Sequence, residues 1–306
     1  MGGVIARRLL HGVVVLWGVS LVVFLVLRVV PGDPVLIMYP EGLSPAQLRK
    51  AHAALGLDRP LIVQYGAFLS RALHGDLGES FRYQQPAVSL VMQRLPATAQ
   101  LAAVAMAITV VAGVPLGFIA AARRGGWLDR AVMLIASFGQ SLPTFWLGIM
   151  LIIVFAVALR WLPTSGRGSM AQLVLPAVTL AGYSTALTAR LTRAGMLEVF
   201  AEHYVRTARA KGLREFTVLV RHVLRNALIP VVTLLGLQVG ALLGGAVITE
   251  AVFAWPGIGL LAVNAVFTRD YNVVQAVVLL STFVFILVNL CVDLCYVALD
   301  PRIRLG

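Results

Sequence analysis

The sequence predicts an all-α integral membrane protein with six transmembrane helices. Hydrophobic residues make up 59% of the 306-residue chain, charged residues only 12%, and the mean hydropathy is +0.90. A soluble domain carries about 25% charged residues. Six apolar runs are also long enough to cross a bilayer, which takes about 20 residues of helix. The net charge of +12 does not indicate nucleic-acid binding, because no basic stripe is interleaved with aromatic residues.

The six predicted spans follow one another along the chain. They cover residues 8–28, 97–122, 131–159, 170–189, 227–249 and 272–298. The fourth is the weakest, since it contains Pro176 and Gly182. We expect Pro143 and Pro176 to bend their helices, because proline lacks a backbone N–H and its ring clashes with the preceding turn.

The distribution of Lys and Arg predicts the orientation. With the N-terminus inside, 15 of these residues lie in cytoplasmic segments and 3 lie in short external loops, when the long external segment is left out. The positive-inside rule counts short loops, so both termini are predicted to be cytoplasmic. We therefore expect one transmembrane domain over residues 1–306, with an external helical cap at 30–96 and cytoplasmic helices at 190–226.

The external segment predicts two short helices. Ser44 is placed to cap the first, with Pro45 at its first position and Gln47 at its third, and Gly56 is placed to end it. A second helical pattern runs through Tyr65 and ends before residues 75–78. Such a cap either shields the spans or docks a soluble partner, and the sequence favours neither.

The cytoplasmic segment predicts an elbow of two helices joined at Gly212. A glycine after a helix end can take left-handed dihedral angles. At 100° per residue, Arg214, Thr217, Arg221 and Arg225 form one stripe, and Leu213, Phe216, Val220 and Leu224 form another. The arginines could hold an interfacial helix to anionic lipid. A protein socket is favoured modestly by the elbow shape and by the small residues Ala208 and Ala210.

Polar residues within the spans are candidates for a translocation path. They are Gln100, Gln140, Ser141, Gln238 and Asn289. Each could equally form an interhelical hydrogen bond. Cys291 and Cys295, the only cysteines, lie one helical turn apart without a nearby histidine, so they indicate packing rather than a metal site or a disulfide.

Residues 202–233 resemble the cytoplasmic loop of permease subunits from binding-protein-dependent ATP-binding-cassette (ABC) importers, and more narrowly the dipeptide, oligopeptide, glutathione and nickel permease family. The resemblance is carried by Tyr204-x-Arg-Thr-Ala-Arg-Ala-Lys-Gly212, His222, Arg225-Asn-Ala and Pro230. Further matching segments, in order, are Pro31-Gly-Asp-Pro34, Leu55-Gly-Leu-Asp58, Gly75-Asp-Leu-Gly-x-Ser80, Leu95-Pro-x-Thr98, Ser141-x-Pro143, Trp161-Leu-Pro163, Leu175-Pro176, Glu250-x-Val-Phe-x-Trp-Pro-Gly-x-Gly259 and Asp300-Pro-Arg-Ile-Arg304.

The resemblance implies a type I ABC importer permease fold in a bacterial or archaeal plasma membrane. It implies that the chain forms half of a pathway with a second, similar permease subunit, that two cytoplasmic ATPases drive it with ATP and Mg, and that an extracytoplasmic solute-binding protein delivers peptide. The chain itself would bind no cofactor or metal. It would not be an enzyme, since no G-x-x-x-x-G-K-[ST] loop is present.

The resemblance also assigns roles to residues. The ATPase-coupling loop would comprise Tyr204, Arg206, Thr207, Ala208, Ala210, Lys211, Gly212, Phe216, Arg221, His222, Arg225, Asn226 and Pro230. The wider importer loop begins Glu-Ala-Ala, whereas Arg206-Thr207-Ala208 stands here, so a salt bridge from that glutamate is not carried over. Trp255, Pro256, Gly257 and Gly259 would form a tight turn at an outer gate, unless Trp255 is an interfacial anchor.

Two alternative functions remain open on the residues alone. A secondary carrier would place ionisable residues within the membrane, and only Asp293 lies clearly within a span. An intramembrane enzyme has little support, because the five histidines are scattered and no catalytic motif is present. Nickel is an alternative cargo to peptide, although no Met, Cys or His cluster argues for it.

Overall fold

The computed structural model of the protein describes residues 2–29, 43–54, 56 and 58–299. Their regular structure is helical, apart from one isolated β-bridge between Glu79 and Pro86. The α-helices are α1 Gly2–Val29, α2 Pro45–Ala54, α3 Leu61–Leu73, α4 Ala87–Ala122, α5 Trp127–Ser141, α6 Thr144–Leu151, α7 Met170–Val199, α8 His203–Ala210, α9 Glu215–Thr217, α10 Arg225–Val252, α11 Ile258–Phe267 and α12 Tyr271–Leu299, and the π-helical segments Ile152–Ala158 and Val218–Leu224 continue α6 and α9. The matching segments 31–34 and 300–304 lie outside the described residues, as do Leu55, Leu57 and the side chains of Asp293 and Cys295.

Five helical stretches are long and apolar enough to cross a membrane, and a bent pair makes a sixth. The five are Arg7–Val29, Ala87–Ala122, Met170–Val199, Glu215–Leu242 and Tyr271–Val292. Ala87–Ala122 begins ten residues before the second predicted span, and Met170–Val199 continues ten residues past the fourth predicted span. Helix formation therefore extends beyond the apolar windows that the sequence marks.

The third predicted span is two helices at an angle rather than one. Trp127–Ser141 and Thr144–Ala158 meet at a bend of 109°. Leu142 and Pro143 have extended backbone there, with ψ angles of 129° and 135°. A residue before proline is pushed out of the helical region, so the break falls where the sequence places Pro143. The bend expected at this proline is confirmed, whereas α7 continues through Pro176.

One compact unit comprises the described parts of Met1–Pro96 and Gly257–Leu290. Its core begins where α3 packs on α1: the ring of Phe24, 1% exposed, lies 5.9 Å from that of Phe68 and 5.3 Å from that of Tyr65. Ser20 and Tyr65 share a hydrogen bond of 2.8 Å between their hydroxyls. The predicted external cap is therefore fastened to the first span.

Local signals in the cap act as predicted. The Ser44 backbone N–H donates to Gln47 Oε1 at 2.9 Å, and the Gln47 N–H donates to Ser44 Oγ at 3.3 Å. Gly56 ends α2 with φ of +64°. Farther along, buried Asp270 accepts a 2.5 Å hydrogen bond from Ser80 Oγ, which fastens the turn after α3 to the start of α12.

The second unit comprises Ala97–Pro256 together with the described part of the chain after Leu290. Its α4 and α7 approach closely at two glycines. A Cβ atom added at Gly117 would lie 2.6 Å from Thr192 Cβ, and one added at Gly113 would lie 2.9 Å from Thr188 Cβ. A Gly-x-x-x-Gly spacing lets two helix backbones meet in a membrane, where close packing drives association.

Candidate functional site

The elbow forms where α8 ends. Gly212 has φ of +76°, and its backbone N–H donates to the carbonyl oxygen of Arg209 at 2.9 Å. The left-handed glycine predicted from the sequence is confirmed. A Cβ added at Gly212 would meet no atom within 4 Å, so within this chain glycine is required by the backbone angle rather than by space.

The second arm of the elbow continues into a membrane-spanning helix without a break. Short α9 leads into a π-helical segment, Val218–Leu224, and this leads directly into α10. Val218, Val223 and Ala227 are the residues that this arm buries. They are spaced by five and then four, because a π-helix bonds residue i to i+5.

The apolar stripe predicted at regular helical spacing is not the buried face of this arm. Leu213, Phe216 and Val220 are exposed, Phe216 by 72%, and Leu224 is half-buried. The prediction used a constant 100° per residue from Leu213 to Leu224, whereas Leu213 lies before the helix and residues 218–224 are π-helical. The stripe is therefore a surface feature.

The elbow packs on the ends of α4 and α7. Val205 and Ala208 on α8 join Val218 and Val223 in one buried cluster, which includes Met196 of α7. Ala208 therefore packs inward, whereas Ala210 is exposed. The cluster therefore holds both arms of the elbow against the ends of α4 and α7.

Polar contacts also tie the two arms together. Asn226 Nδ2 donates to Tyr204 Oη at 2.8 Å and to the His222 carbonyl at 2.9 Å. Across Gly212, Arg209 and Glu215 form an ion pair of 2.7 Å, and the Glu215 carboxylate raises the pKa of Arg209 above its ordinary value. The Tyr204–Asn226 and Arg209–Glu215 contacts, which join residues 22 and 6 positions apart, have no helical spacing that the sequence could have indicated.

The exposed residues of the elbow are mostly basic or polar, and Leu213, Phe216 and Val220 are exposed among them. Beside Phe216, the exposed predicted residues are Tyr204, Arg206, Thr207, Ala210, Lys211, Gly212, Arg221, Arg225, Asn226 and Pro230, and His222 is half-buried. An exposed aromatic side chain rimmed by polar residues is typical of a protein–protein interface. Pro230 lies inside α10, not at a helix end.

A buried ion pair supports the same end of the second unit. Arg193 donates to both carboxylate oxygens of Asp129, at 2.5 and 2.8 Å, and the Gly125 N–H donates to that carboxylate at 2.9 Å. Asp129 is 4% exposed. The pair joins the start of α5 to α7 one turn before Met196, and the sequence analysis did not identify it.

At the other end of α10, Trp255 is buried rather than anchored in an interface. It is 1% exposed, and its indole Nε1 donates to the Ala97 carbonyl at 2.9 Å. Arg167 lies over the indole ring at 5.7 Å and donates to Gln100 at 2.8 Å. Neighbouring Glu250, fully buried, accepts a 2.6 Å hydrogen bond from Thr98.

The rest of the predicted outer gate begins the next helix. Pro256 is half-buried, and Gly257 is the N-cap of α11 with extended dihedral angles, φ −99° and ψ −170°. Gly259, also buried, lies in the first turn of α11. The predicted tight turn therefore leads directly into the short apolar helix α11.

The predicted path residues fall into different environments. Gln140 accepts a 2.6 Å hydrogen bond from Arg190, Ser141 donates to the Ser137 carbonyl at 3.0 Å, and Asn289 donates to the Phe285 carbonyl at 2.9 Å. Gln238 differs: it is 5% exposed, and neither amide atom has a hydrogen-bond partner among the described residues. Buried amides are rarely left unpaired, but because both amide atoms of Gln238 are enclosed by this chain, the residue does not face a translocation path in this conformation.

Two family models match the chain. Residues 113–305 match the "Binding-protein-dependent transport system inner membrane component" family, and residues 1–102 match the N-terminal region of such membrane components.

Similar proteins cover nearly its whole length. The chain is 46% identical to the glutathione transport system permease protein GsiC of Escherichia coli K12, over 98% of both chains. It is 41% identical, over 99% of both chains, to a Brucella abortus protein named for a peptide transport system. Among solved structures, a subunit of the inward-facing MetNI methionine ABC transporter matches with a TM-score of 0.60 at 21% identity, covering 69% of this chain and 96% of that one, which shows a shared fold.

Proposed function

The chain belongs to the family of inner membrane components of binding-protein-dependent transport systems, as an ABC importer permease, and we propose that its elbow is the surface on which a cytoplasmic ATPase docks. The observation that supports this most is the exposure of Phe216. A phenylalanine that is 72% exposed on an elbow with several exposed arginines contributes nothing to the core of this chain. Buried against a partner, an aromatic anchor often supplies about 2 kcal/mol or more of binding energy.

The framework around Phe216 suits the transmission of force. The buried cluster and the Tyr204–Asn226 contact hold the elbow rigid, and the helical run from Glu215 to Val252 is continuous. At 1.5 Å per residue this run extends roughly 55 Å, which exceeds the thickness of a bilayer. A displacement of the elbow would therefore move the far end of the same run, where Glu250 and Trp255 lie.

That far end is the proposed outer gate. Two buried contacts, Trp255 with Ala97 and Thr98 with Glu250, join the end of α10 to α4. If α10 moves, these two contacts must either break or pull α4 along with it. ATP and Mg would act only in the ATPase subunits, and the elbow would convert their movement into opening at this end.

The proposed cargo is peptide, including glutathione-like peptide. This rests on relatives named for peptide and glutathione transport at 41% and 46% identity. A second permease subunit would complete the pathway, and an extracytoplasmic solute-binding protein would deliver the peptide. Gln238 would contribute a polar contact only in a conformation of the pathway that exposes its amide, which is buried here.

The docking surface is tested by Phe216→Ala in the complete complex. We expect retention of the ATPase subunits to weaken by about 30-fold or more and substrate-stimulated ATP hydrolysis to fall with it. Phe267→Ala is the matched control, since Phe267 is 84% exposed and lies outside the elbow. Unchanged retention in Phe216→Ala would show that the ATPase binds elsewhere.

Dependence on partners is tested in liposomes. The complete set of two permeases, ATPases, binding protein and ATP should take up peptide. The chain alone should not, even with a proton or sodium gradient, because the proposed work is done by the ATPases. Gradient-driven uptake by the chain alone would favour a secondary carrier.

A further inference from the structure

A cavity in the first unit is lined by groups that attract anions. Its volume is 330 Å³, and it lies between the last turns of α1, the end of α2, α3 and the start of α12. Arg28, Arg59 and Arg71 line it, together with Tyr271 and Gln275. None of the described lining residues is Asp or Glu. Three guanidinium groups around one space repel each other, so an anion between them would be stabilising.

Two buried polar atoms in this lining lack an acceptor. Arg28 Nε and Tyr271 Oη are buried and have no hydrogen-bond partner among the described residues, and Tyr271 as a whole is 6% exposed. An arginine Nε–H can only donate, and a phenol donates readily. Buried donors are nearly always paired, so the cavity has places for the oxygens of an anion.

The position of the cavity indicates the source of that anion. Arg28 lies in the last turn of α1, on the predicted outer side, next to the exposed apolar side chains of Leu25 and Val26. Leu61 and Ile62 of α3 are exposed as well, Ile62 by 80%. A helix with exposed apolar residues and nearby arginines is typical of the membrane interface, where phosphate headgroups lie.

We propose that this cavity binds a phosphate group through Arg28, Arg59, Arg71 and the Tyr271 hydroxyl, supplied by an anionic phospholipid headgroup or by free phosphate. Guanidinium groups bind phosphate oxygens in pairs, with bonds about twice as strong as neutral ones. The ring of Phe24 lies 4.9 Å from the guanidinium carbon of Arg28 and offers it no hydrogen-bond acceptor, so this contact does not replace such bonds. This inference is independent of the proposed ATPase docking.

The test measures binding to the purified full chain in detergent. Phosphatidylglycerol is titrated by native mass spectrometry, and radiolabelled inorganic phosphate is titrated by equilibrium dialysis. Arg28→Gln should weaken binding by about tenfold to a hundredfold, the range for hydrogen bonds to charged groups. Tyr271→Phe, which removes one oxygen and keeps the ring, should weaken it by about tenfold.

Arg49→Gln is the control, since Arg49 is exposed on α2, carries the same charge and does not line the cavity. Saturable phosphatidylglycerol binding that is lost in both cavity variants but kept in the control would assign the site to a lipid headgroup. The same pattern with inorganic phosphate alone would assign it to free phosphate. Absence of saturable binding of either probe, or equal weakening in the control, would overturn the proposal.

Discussion

Substitutions of Gly212 show whether the elbow needs a left-handed backbone angle at this position or only the absence of a side chain. The residue has φ of +76°, and no atom lies within 4 Å of an added Cβ. Left-handed dihedral angles cost about 1–2 kcal/mol in a residue that has a side chain. Because the elbow is exposed there, the free chain can relax locally, and the strain returns when a partner requires the native bend. The dissociation constant for the ATPase should therefore rise by about 5- to 30-fold.

Three substitutions of Gly212 should weaken ATPase binding to different extents. Gly212→Asn should have the smallest effect because asparagine tolerates left-handed angles, Gly212→Ala an intermediate one, and Gly212→Val the largest because β-branched residues avoid this region. Binding of the ATPase subunits to the solubilised permease pair is measured for each, with circular dichroism as a check on folding.

The order of the three effects decides the interpretation. Equal weakening in all three would mean that the partner rejects any side chain at this position, so that contact rather than conformation matters. Wild-type affinity in all three would refute the elbow as the docking element. Binding that weakens in the order Asn, Ala, Val supports a conformational requirement.

Three further predictions concern packing, charge and topology. Gly117→Ala should lower the thermal unfolding temperature of the chain, because its Cβ would lie 2.6 Å from that of Thr192, whereas Gly18→Ala, which meets no atom within 4 Å, should not. Asp129→Asn removes the counter-ion of the partly exposed Arg193 guanidinium and should destabilise the chain by about 1–3 kcal/mol, measured by denaturant unfolding; wild-type stability would mean that solvent screens the pair. In a background without native cysteines, a membrane-impermeant maleimide should label Gly75→Cys on intact cells and Gly212→Cys only after permeabilisation; the reverse would overturn the orientation.

Features set by a few neighbouring residues could be predicted from the sequence. The Ser44 cap, the ends of helices at Gly56 and Gly212, and the bend at Pro143 depend on interactions within one helical turn, so a short window contains their causes. The membrane class follows from composition, because a bilayer requires about 20 apolar residues per span whatever their neighbours.

Features set by distant residues were decided by the tertiary structure. Phe216, just before the π-helical segment, is exposed, whereas Val218 and Val223 within it are buried five residues apart, and no periodicity in the sequence marks that spacing. Trp255 is buried because Ala97, 158 residues away, accepts its indole N–H. The cavity likewise brings Arg28 and Tyr271 together from the two ends of the chain. A side chain's burial depends on which surface packs against it, and residues far apart in sequence supply that surface only when the helices assemble.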